Sequence, residues 1–134
     1  MPDALLDTNA VSDLMDRHPR LIARAAQHPG RLLTNVIVYG EIRYGIERLP
    51  PSRKRTDIES RARFVLPKLA IEPITVPIAE FYGWLRASLD AQAVNLKDND
   101  LWIATTALSL GAILVTRDRM FSRVPGLLVE DWTV

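Results

Sequence analysis

Four carboxylic acids stand where strands end or helices begin in the predicted fold: Asp7, Glu41, Asp100 and Asp118. Asp7 follows a short apolar run at residues 4–6, and Asp118 follows another at residues 112–115. In open α/β sheets, sites lie outside the carboxyl ends of the strands, where the following helices also begin. Acids at close range raise one another's pKa and repel, so a converging cluster requires a cation. Oxygen ligands without a nearby thiol or histidine favour Mg²⁺ or Mn²⁺.

Glu41 is predicted to lie on the inner side of a helix. Its helical neighbours at three and four residues are mostly apolar: Ile37, Val38, Tyr44 and Gly45. Arg43 and Glu47 fall on roughly the opposite side, at about 100° per residue. An ionised carboxylate on a core-facing stripe is costly unless it is paired or binds a metal. The alternative interpretation is a partly buried glutamate bonded to an arginine.

Asp98 and Asp100 compete for one position in the cluster. Asp100 heads a stripe with Ile103, Ala104 and Ala107, so its side chain is expected to point along a buried helix face. Asp98 is expected just outside this helix, where an N-cap is its more ordinary role. We therefore assign Asp100 to the cluster.

The two acids that follow strands also have ordinary explanations when each is taken singly. Asp7 is equally suited to capping the next helix, and Asp118 to a turn. Taken together, the four acids favour a site more strongly, because a parallel sheet would bring all of them to one edge.

Composition narrows the classes of protein that the chain can belong to. Its 134 residues carry a net charge of +1, with 48% apolar and 25% charged residues, which suits one globular domain over residues 1–134. Because there is no cysteine, disulfides, thiolate catalysis and zinc–thiolate sites are excluded. No apolar run approaches the roughly 20 residues of a bilayer span. Residues 1–6 lack the pattern of a signal peptide, so we expect a cytoplasmic protein without a membrane segment.

Strands that alternate with helices predict an α/β fold, a three-layer α/β/α sandwich around a central parallel sheet. Strands are expected at residues 4–6, 32–34, 71–76, 112–115 and 127–129. Helices are expected after Thr8 or Asn9, after Pro19, and over residues 36–49, 52–69, 78–91 and 101–110. Asn35 is expected to cap the third helix, and Gly111 to end the last one.

Four stretches, in this order along the chain, resemble the PIN-domain ribonucleases, and within them the VapC toxins of bacterial toxin–antitoxin pairs. They are residues 6–9 (LDTN), 39–45 (YGEIRYG), 99–104 (NDLWIA) and 114–118 (LVTRD), with Phe121 beyond. The closing stretches at residues 125–127 and 130–132 are also similar to this family's end. Each stretch is weak alone, but together they span nearly the whole chain.

The resemblance implies a PIN-like fold and Mg²⁺- or Mn²⁺-dependent cleavage of RNA, commonly a structured RNA such as tRNA. It implies that Asp7, Glu41 and Asp100 are the family's three catalytic and metal-binding acids and that Asp118 is its more variable fourth. It also implies site-shaping roles for Thr8, Asn9 and Thr116. Members usually form homodimers and are inhibited by a cognate VapB-like antitoxin. One departure lies at residues 93–95, where many relatives have a glycine; Asn95 is expected to take the left-handed conformation there.

Basic side chains are the candidates for binding the RNA backbone. The densest cluster is Arg53, Lys54 and Arg55, with Arg61 and Arg63 nearby. A solvated helix face explains each of these residues equally well. Arg117 is nearer to the predicted site and is either a phosphate contact or a salt-bridge partner. Trp84 and Trp102 are interpreted as core or dimer contacts.

Two functions other than a nuclease share part of this pattern. A haloacid-dehalogenase-like phosphatase also has an aspartate after a strand, but it needs a second aspartate where this chain has Asn9. A non-catalytic PIN-like module that binds RNA or antitoxin is the other alternative. The presence of an acid at all four positions argues against it.

Overall fold

The computed structural model describes residues 2–134. Its strands are β1 (Ala4–Leu6), β2 (Leu32–Asn35), β3 (Ala70–Glu72), β4 (Ile113–Val115) and β5 (Val129–Glu130). Its α-helices are α1 (Thr8–Met15), α2 (Pro19–Gln27), α3 (Val36–Glu47), α4 (Arg53–Val65), α5 (Val76–Ala91) and α6 (Asp98–Leu110). Two short 3₁₀ helices lie at Leu66–Lys68 and Arg119–Arg123.

The five strands form one parallel sheet in the order β3-β2-β1-β4-β5. At its centre, Leu5 of β1 lies opposite Leu33 of β2 and Leu114 of β4, and all three side chains are fully buried. The chain runs from β1 through β2 to β3 in one direction along the sheet and then returns to β4 on the other side of β1. Since crossovers between parallel strands are right-handed, this reversal puts α1 to α4 on one face and α5 and α6 on the other. The predicted three-layer α/β/α architecture is therefore confirmed.

Caps and breakers set the helix boundaries. Asn35 caps α3 by accepting the Val38 N–H, and Gly111 ends α6 in the left-handed conformation, as predicted. The prediction that Thr8 or Asn9 caps α1 is wrong. Asp7 is the cap and accepts the Ala10 N–H at 2.8 Å, so Thr8 is already the first helical residue.

Other boundaries differ from the predictions for local physical reasons. β3 ends at Glu72, because Pro73 cannot donate a ladder hydrogen bond, and it is an edge strand as predicted. α5 begins at Val76, two residues early, because Thr75 caps it and Pro77 suits a first helical turn. The turn before α6 holds Ala93, and not Asn95, in the left-handed region at φ 57°. A Cβ there costs about 1–2 kcal/mol.

Within residues 2–134, none of the helices is both long and apolar enough to cross a membrane.

Candidate active site

The sheet topology brings the segments that carry the four predicted acids to its carboxyl edge. β1 and β4 are neighbours, with Leu6 opposite Val115, so Asp7 and the turn to Asp118 leave the sheet side by side. β2 flanks β1 on its other side and leads directly into α3, which carries Glu41. Asp100 lies in the first turn of α6, on the opposite layer, and α6 packs against α3. Because each segment begins or ends at this edge, acids far apart in sequence face one another.

Asp7 is the most buried of the four acids, with 4% of its surface exposed. Burial raises the pKa of Asp7 to about 6, and the charges of Asp100 and Asp118 push it in the same direction. Hydrogen bonds from Thr116 and from the Ala10 backbone favour the ionised form and oppose this shift. Asp7 is thus both a helix cap and a buried acid under repulsion from its neighbours.

Asp100 is half-buried, and its pKa is also affected by the other acids. Burial is the main cause that raises its pKa, followed by the negative charges of Glu41 and Asp118. Lys97, just before α6, opposes the shift. Asp100 therefore interacts electrostatically with three acids from three other segments of the chain, including Asp7.

Glu41 lies at the border of the core and not inside it. The buried face of α3 is formed by Val38, Ile42 and Ile46. Glu41 is about one residue's rotation from that face and is half-buried, because successive helical residues differ by about 100°. Its Oε1 accepts the hydroxyl of Thr8 at 2.6 Å. The predicted core-facing position is therefore corrected to the wall of a groove, and the bond that holds Glu41 comes from a threonine instead of an arginine.

A buried polar link that was not predicted from the sequence joins α3, which carries Glu41, to α6, which carries Asp100. Besides capping α3, Asn35 donates from Nδ2 to Oγ1 of Thr106 on α6 at 3.0 Å. Its neighbour Thr34 donates to the Leu6 carbonyl oxygen at 2.8 Å. All three polar side chains are fully buried. Consecutive polar residues at the end of an apolar strand were the available signal, but their partner on α6 is distant in sequence.

Asp98 does not cap α6, contrary to the prediction. It is the first residue of that helix and exposed, and it accepts Nη1 of Arg86 at 3.1 Å. The same Nη1 also lies 2.9 Å from the hydroxyl of Tyr82, whose ring stacks on Trp102 at 3.7 Å. These contacts fasten the first turn of α6 to α5. The choice of Asp100 over Asp98 agrees with their burial.

The turn after β4 is ordered by its own polar groups. Thr116 is buried, and its Oγ1 accepts the Asp118 N–H at 3.0 Å, while Asp118 accepts the Met120 N–H at 2.9 Å. Arg117 donates to both carboxylate oxygens of Asp13 on α1, at 2.8 and 3.2 Å. Of the two roles considered for Arg117, the structure shows the salt bridge. Asn9 is exposed in the first turn of α1.

The predicted basic cluster lies on α4 and is partly engaged in ion pairs. Arg55 pairs with Glu47 and also donates to the Leu49 carbonyl oxygen. Arg53 and Lys54 are exposed in the first turn of the helix. Contact of these three side chains with RNA stays a prediction.

Trp84 and Trp102 occupy different environments. Trp102 is half-buried against Tyr82, which agrees with a packing role. Trp84 is 65% exposed and stacks on Phe81, so it is not a core residue. A dimer contact of Trp84 stays a prediction.

The donor set suits a hard divalent cation more than zinc or copper. No three acids within residues 2–134 stand close enough to form a ready-made cage. Mg²⁺ does not need one, because it keeps several waters and is commonly held by one or two carboxylates together with substrate phosphates. Carboxylate oxygens beside threonine hydroxyls, and no sulfur donor, fit that requirement.

Comparison with known proteins identifies the fold family. The family model described as the PIN domain matches residues 4–127. This chain belongs to the PIN-domain family. Among curated PIN-domain relatives, Ribonuclease VapC2 of Haemophilus influenzae is 34% identical over 131 residues, covering 96% of each chain. The tRNA(fMet)-specific endonuclease VapC of Salmonella typhimurium is 30% identical over 131 residues, again covering 96% of each.

A solved PIN-domain structure agrees with this assignment. The DNA-bound VapBC complex of Salmonella typhimurium superposes with a TM-score of 0.88 at 27% identity, covering 98% of this chain and 99% of that one. The resemblance to VapC-type PIN domains is therefore confirmed.

Proposed function

We infer that this chain is an endoribonuclease of the VapC type, the toxin of a toxin–antitoxin pair, and that it hydrolyses RNA phosphodiester bonds with Mg²⁺ or Mn²⁺. The observation that carries the proposal is the acid edge, by which we mean the carboxyl edge of the sheet where the segments carrying Asp7, Glu41, Asp100 and Asp118 converge. Burial, and after it the charges of the neighbouring acids, raises the pKa of both Asp7 and Asp100. Such an arrangement destabilises a fold unless it serves to hold a cation.

Each acid at this edge has a role in the proposed mechanism. Asp7 and Asp100 would be the direct ligands of the ion, and Asp118 would contribute to a second, weaker site. Glu41, whose Oε1 accepts the Thr8 hydroxyl, would bind the ion or orient the attacking water. A divalent ion bound there would activate water and stabilise charge on the phosphate and the leaving oxygen. Thr116 holds the Asp118 turn and supports the ionised form of Asp7.

The same proposal includes the domain organisation, the location, the substrate and the partners of the protein. Residues 1–134 form one PIN domain that acts in the cytoplasm on RNA, with tRNA as the first substrate to test because of the activity in the Salmonella relative's name. A VapB-like antitoxin inhibits the protein, and two copies form a homodimer. The alternative, a non-catalytic module that binds RNA or antitoxin, is favoured by no feature of the acid edge.

Purified protein, freed of antitoxin, should cleave a tRNA mixture in Mg²⁺ or Mn²⁺ and lose this activity in a chelator. Ca²⁺, which prefers more ligands and longer bonds than Mg²⁺, should support cleavage poorly. The measurement is product formation on a denaturing gel, with restoration by excess Mg²⁺ as the control. RNA that stays intact in every metal, while still binding the protein, would support the non-catalytic module instead.

Replacing Thr8 by valine should lower the cleavage rate or the apparent Mg²⁺ affinity by about tenfold, in the usual range for a residue that orients a ligand. Valine keeps the shape of threonine but removes the hydroxyl that aims Glu41. Thr8→Ser keeps the hydroxyl and should stay near wild type. The rate is measured as a function of Mg²⁺ concentration, and equal curves for the two variants would show that Glu41 does not need this bond.

A further inference from the structure

A groove runs from the acid edge along the exposed side of α3. It has a volume of about 620 Å³ and is lined by Thr8 and Glu41 at one end and by Tyr44, Gly45 and Arg48 further along. Two of its lining residues are therefore members of the proposed active site. Whatever occupies the groove must lie directly beside the proposed reacting phosphate.

The groove presents an aromatic ring to the solvent. Tyr44 was expected to belong to the apolar surroundings of Glu41, but 68% of its surface is exposed. An exposed ring next to a nuclease site is suited to stacking with an unpaired base, because every base has a π-face.

The groove is also lined by two glycines that no packing contact within the fold requires. Gly40 and Gly45 lie inside α3, where glycine destabilises a helix relative to alanine. A Cβ at either position would meet no atom of the chain within 4 Å, and neither residue has a positive φ. Internal packing does not explain these glycines, whereas close approach of a ligand to the helix does.

A positively charged side chain, that of Arg48, lies at the end of the groove away from Thr8. Arg48 is exposed, and its guanidinium has no acidic partner in the part of the chain described by the structure. Arg43 and Arg55, by contrast, are held in ion pairs on the neighbouring surface. Arg48 is therefore free to bind a phosphate, with release of counterions.

We propose that this groove binds the single-stranded RNA on one side of the scissile phosphate, with a base stacked on Tyr44 and a backbone phosphate on Arg48. The inference rests on the proposed function. RNA is favoured over a second protein copy because nucleotides adjoining a phosphate at the acid edge must lie beside Thr8 and Glu41. A protein face over the same residues would close that access.

The first test measures RNA affinity without cleavage. A short fluorescein-labelled single-stranded RNA of mixed sequence is titrated with the Asp100→Asn protein and followed by anisotropy. Adding Tyr44→Ala should weaken binding at least about fivefold, from the usual effect of one lost base stack. Tyr44→Trp should retain it. The matched control is Tyr39→Ala, which removes a 40% exposed tyrosine of the same helix that lines a different groove.

The second test fills the groove without disturbing the core. Gly45→Gln adds a good helix former at an open position, so the melting temperature should not fall, while RNA affinity should decrease. Gly83→Gln makes the same change on α5, also in open space, and should leave the affinity unchanged. Arg48→Gln should reduce the slope of log affinity against log salt by about 0.7, the value for one phosphate contact to a single strand.

The outcomes separate this inference from the proposed function. Equal RNA affinity of the Tyr44→Ala and Tyr39→Ala variants would overturn the groove assignment, even if the wild-type protein cleaves RNA. So would a change from dimer to monomer in Tyr44→Ala, seen by light scattering, with RNA affinity kept per protomer. A wild-type protein that fails to cleave but binds RNA through Tyr44 and Arg48 would refute the nuclease and retain the groove.

Discussion

Asp100→Asn is expected to lower the rate of RNA cleavage by at least about 10²–10³-fold, the usual cost of removing one group that stabilises the transition-state charge. Burial raises the pKa of the Asp100 carboxyl, and the charges of Glu41 and Asp118 raise it further. Asparagine has nearly the same shape but no charge, so it removes a ligand and also relieves repulsion. The folded state should therefore be at least as stable as that of the wild type, which circular dichroism and thermal melting check.

The matched control for Asp100→Asn is Asp98→Asn, two residues earlier in the same helical turn. Asp98 is exposed and paired with Arg86, and exposed ion pairs contribute only about 0–1 kcal/mol. Its variant should cleave RNA within about fivefold of the wild-type rate, since that energy corresponds to no larger factor. Single-turnover rates at saturating Mg²⁺ make the comparison. If the two variants lost activity equally, the assignment of Asp100 and not Asp98 to the site would be wrong.

Asp7→Asn is expected to stabilise the metal-free protein by up to about 3 kcal/mol at pH 7, since one pKa unit corresponds to about 1.4 kcal/mol. Burial and neighbouring acids raise the pKa of Asp7 from 3.8 to about 6. Between these two values the folded protein binds more protons than the unfolded chain, so stability falls as pH rises through this window. Above pH 6, the folded state contains the full cost of the buried charge. Asparagine carries no charge and still caps α1 through its side-chain oxygen.

The free energy of unfolding by urea, measured from pH 4 to pH 7.5 in a chelator, checks this expectation for Asp7. The advantage of the variant should be small near pH 4 and reach its full size above pH 6. Adding Mg²⁺ should stabilise the wild type and narrow the difference, because only the carboxylate gains from a bound cation. A pH-independent difference would mean that the Asp7 charge is not the cause. If Asp7→Asn raises the free energy of unfolding and abolishes nuclease activity, the Asp7 charge serves function while it lowers stability.

The sequence was sufficient to predict the sheet because strands follow from short-range patterns, and the same patterns led to the prediction of the acids. Apolar runs of strand length, such as β1 and β4, are buried on both faces, so their composition alone indicates parallel strands. Asp7, Asp100 and Asp118 were found because each adjoins such a run or begins a helical stripe. The predicted starts of α1 and α6 were wrong because each N-cap lies one residue before the residue predicted for it. Asp7, and not Thr8 or Asn9, caps α1, and Lys97, and not Asp98, precedes α6.

Tertiary structure alone decided how the acids are held and what lies beside them. Asn35 and Thr106, which tie α3 to α6, are 71 residues apart, and no local pattern pairs them. Thr8 and Glu41 are 33 residues apart, and their bond depends on how α1 packs against α3. The exposure of Tyr44 likewise follows from what packs on α3 and not from its helical position. Strand ends and helix starts, which local patterns reveal, were thus enough to predict that the segments carrying these acids converge at one edge of the sheet. Only the packing of helices across the sheet determined which partner orients each acid and where a groove stays open, because these depend on distances between segments that the chain separates.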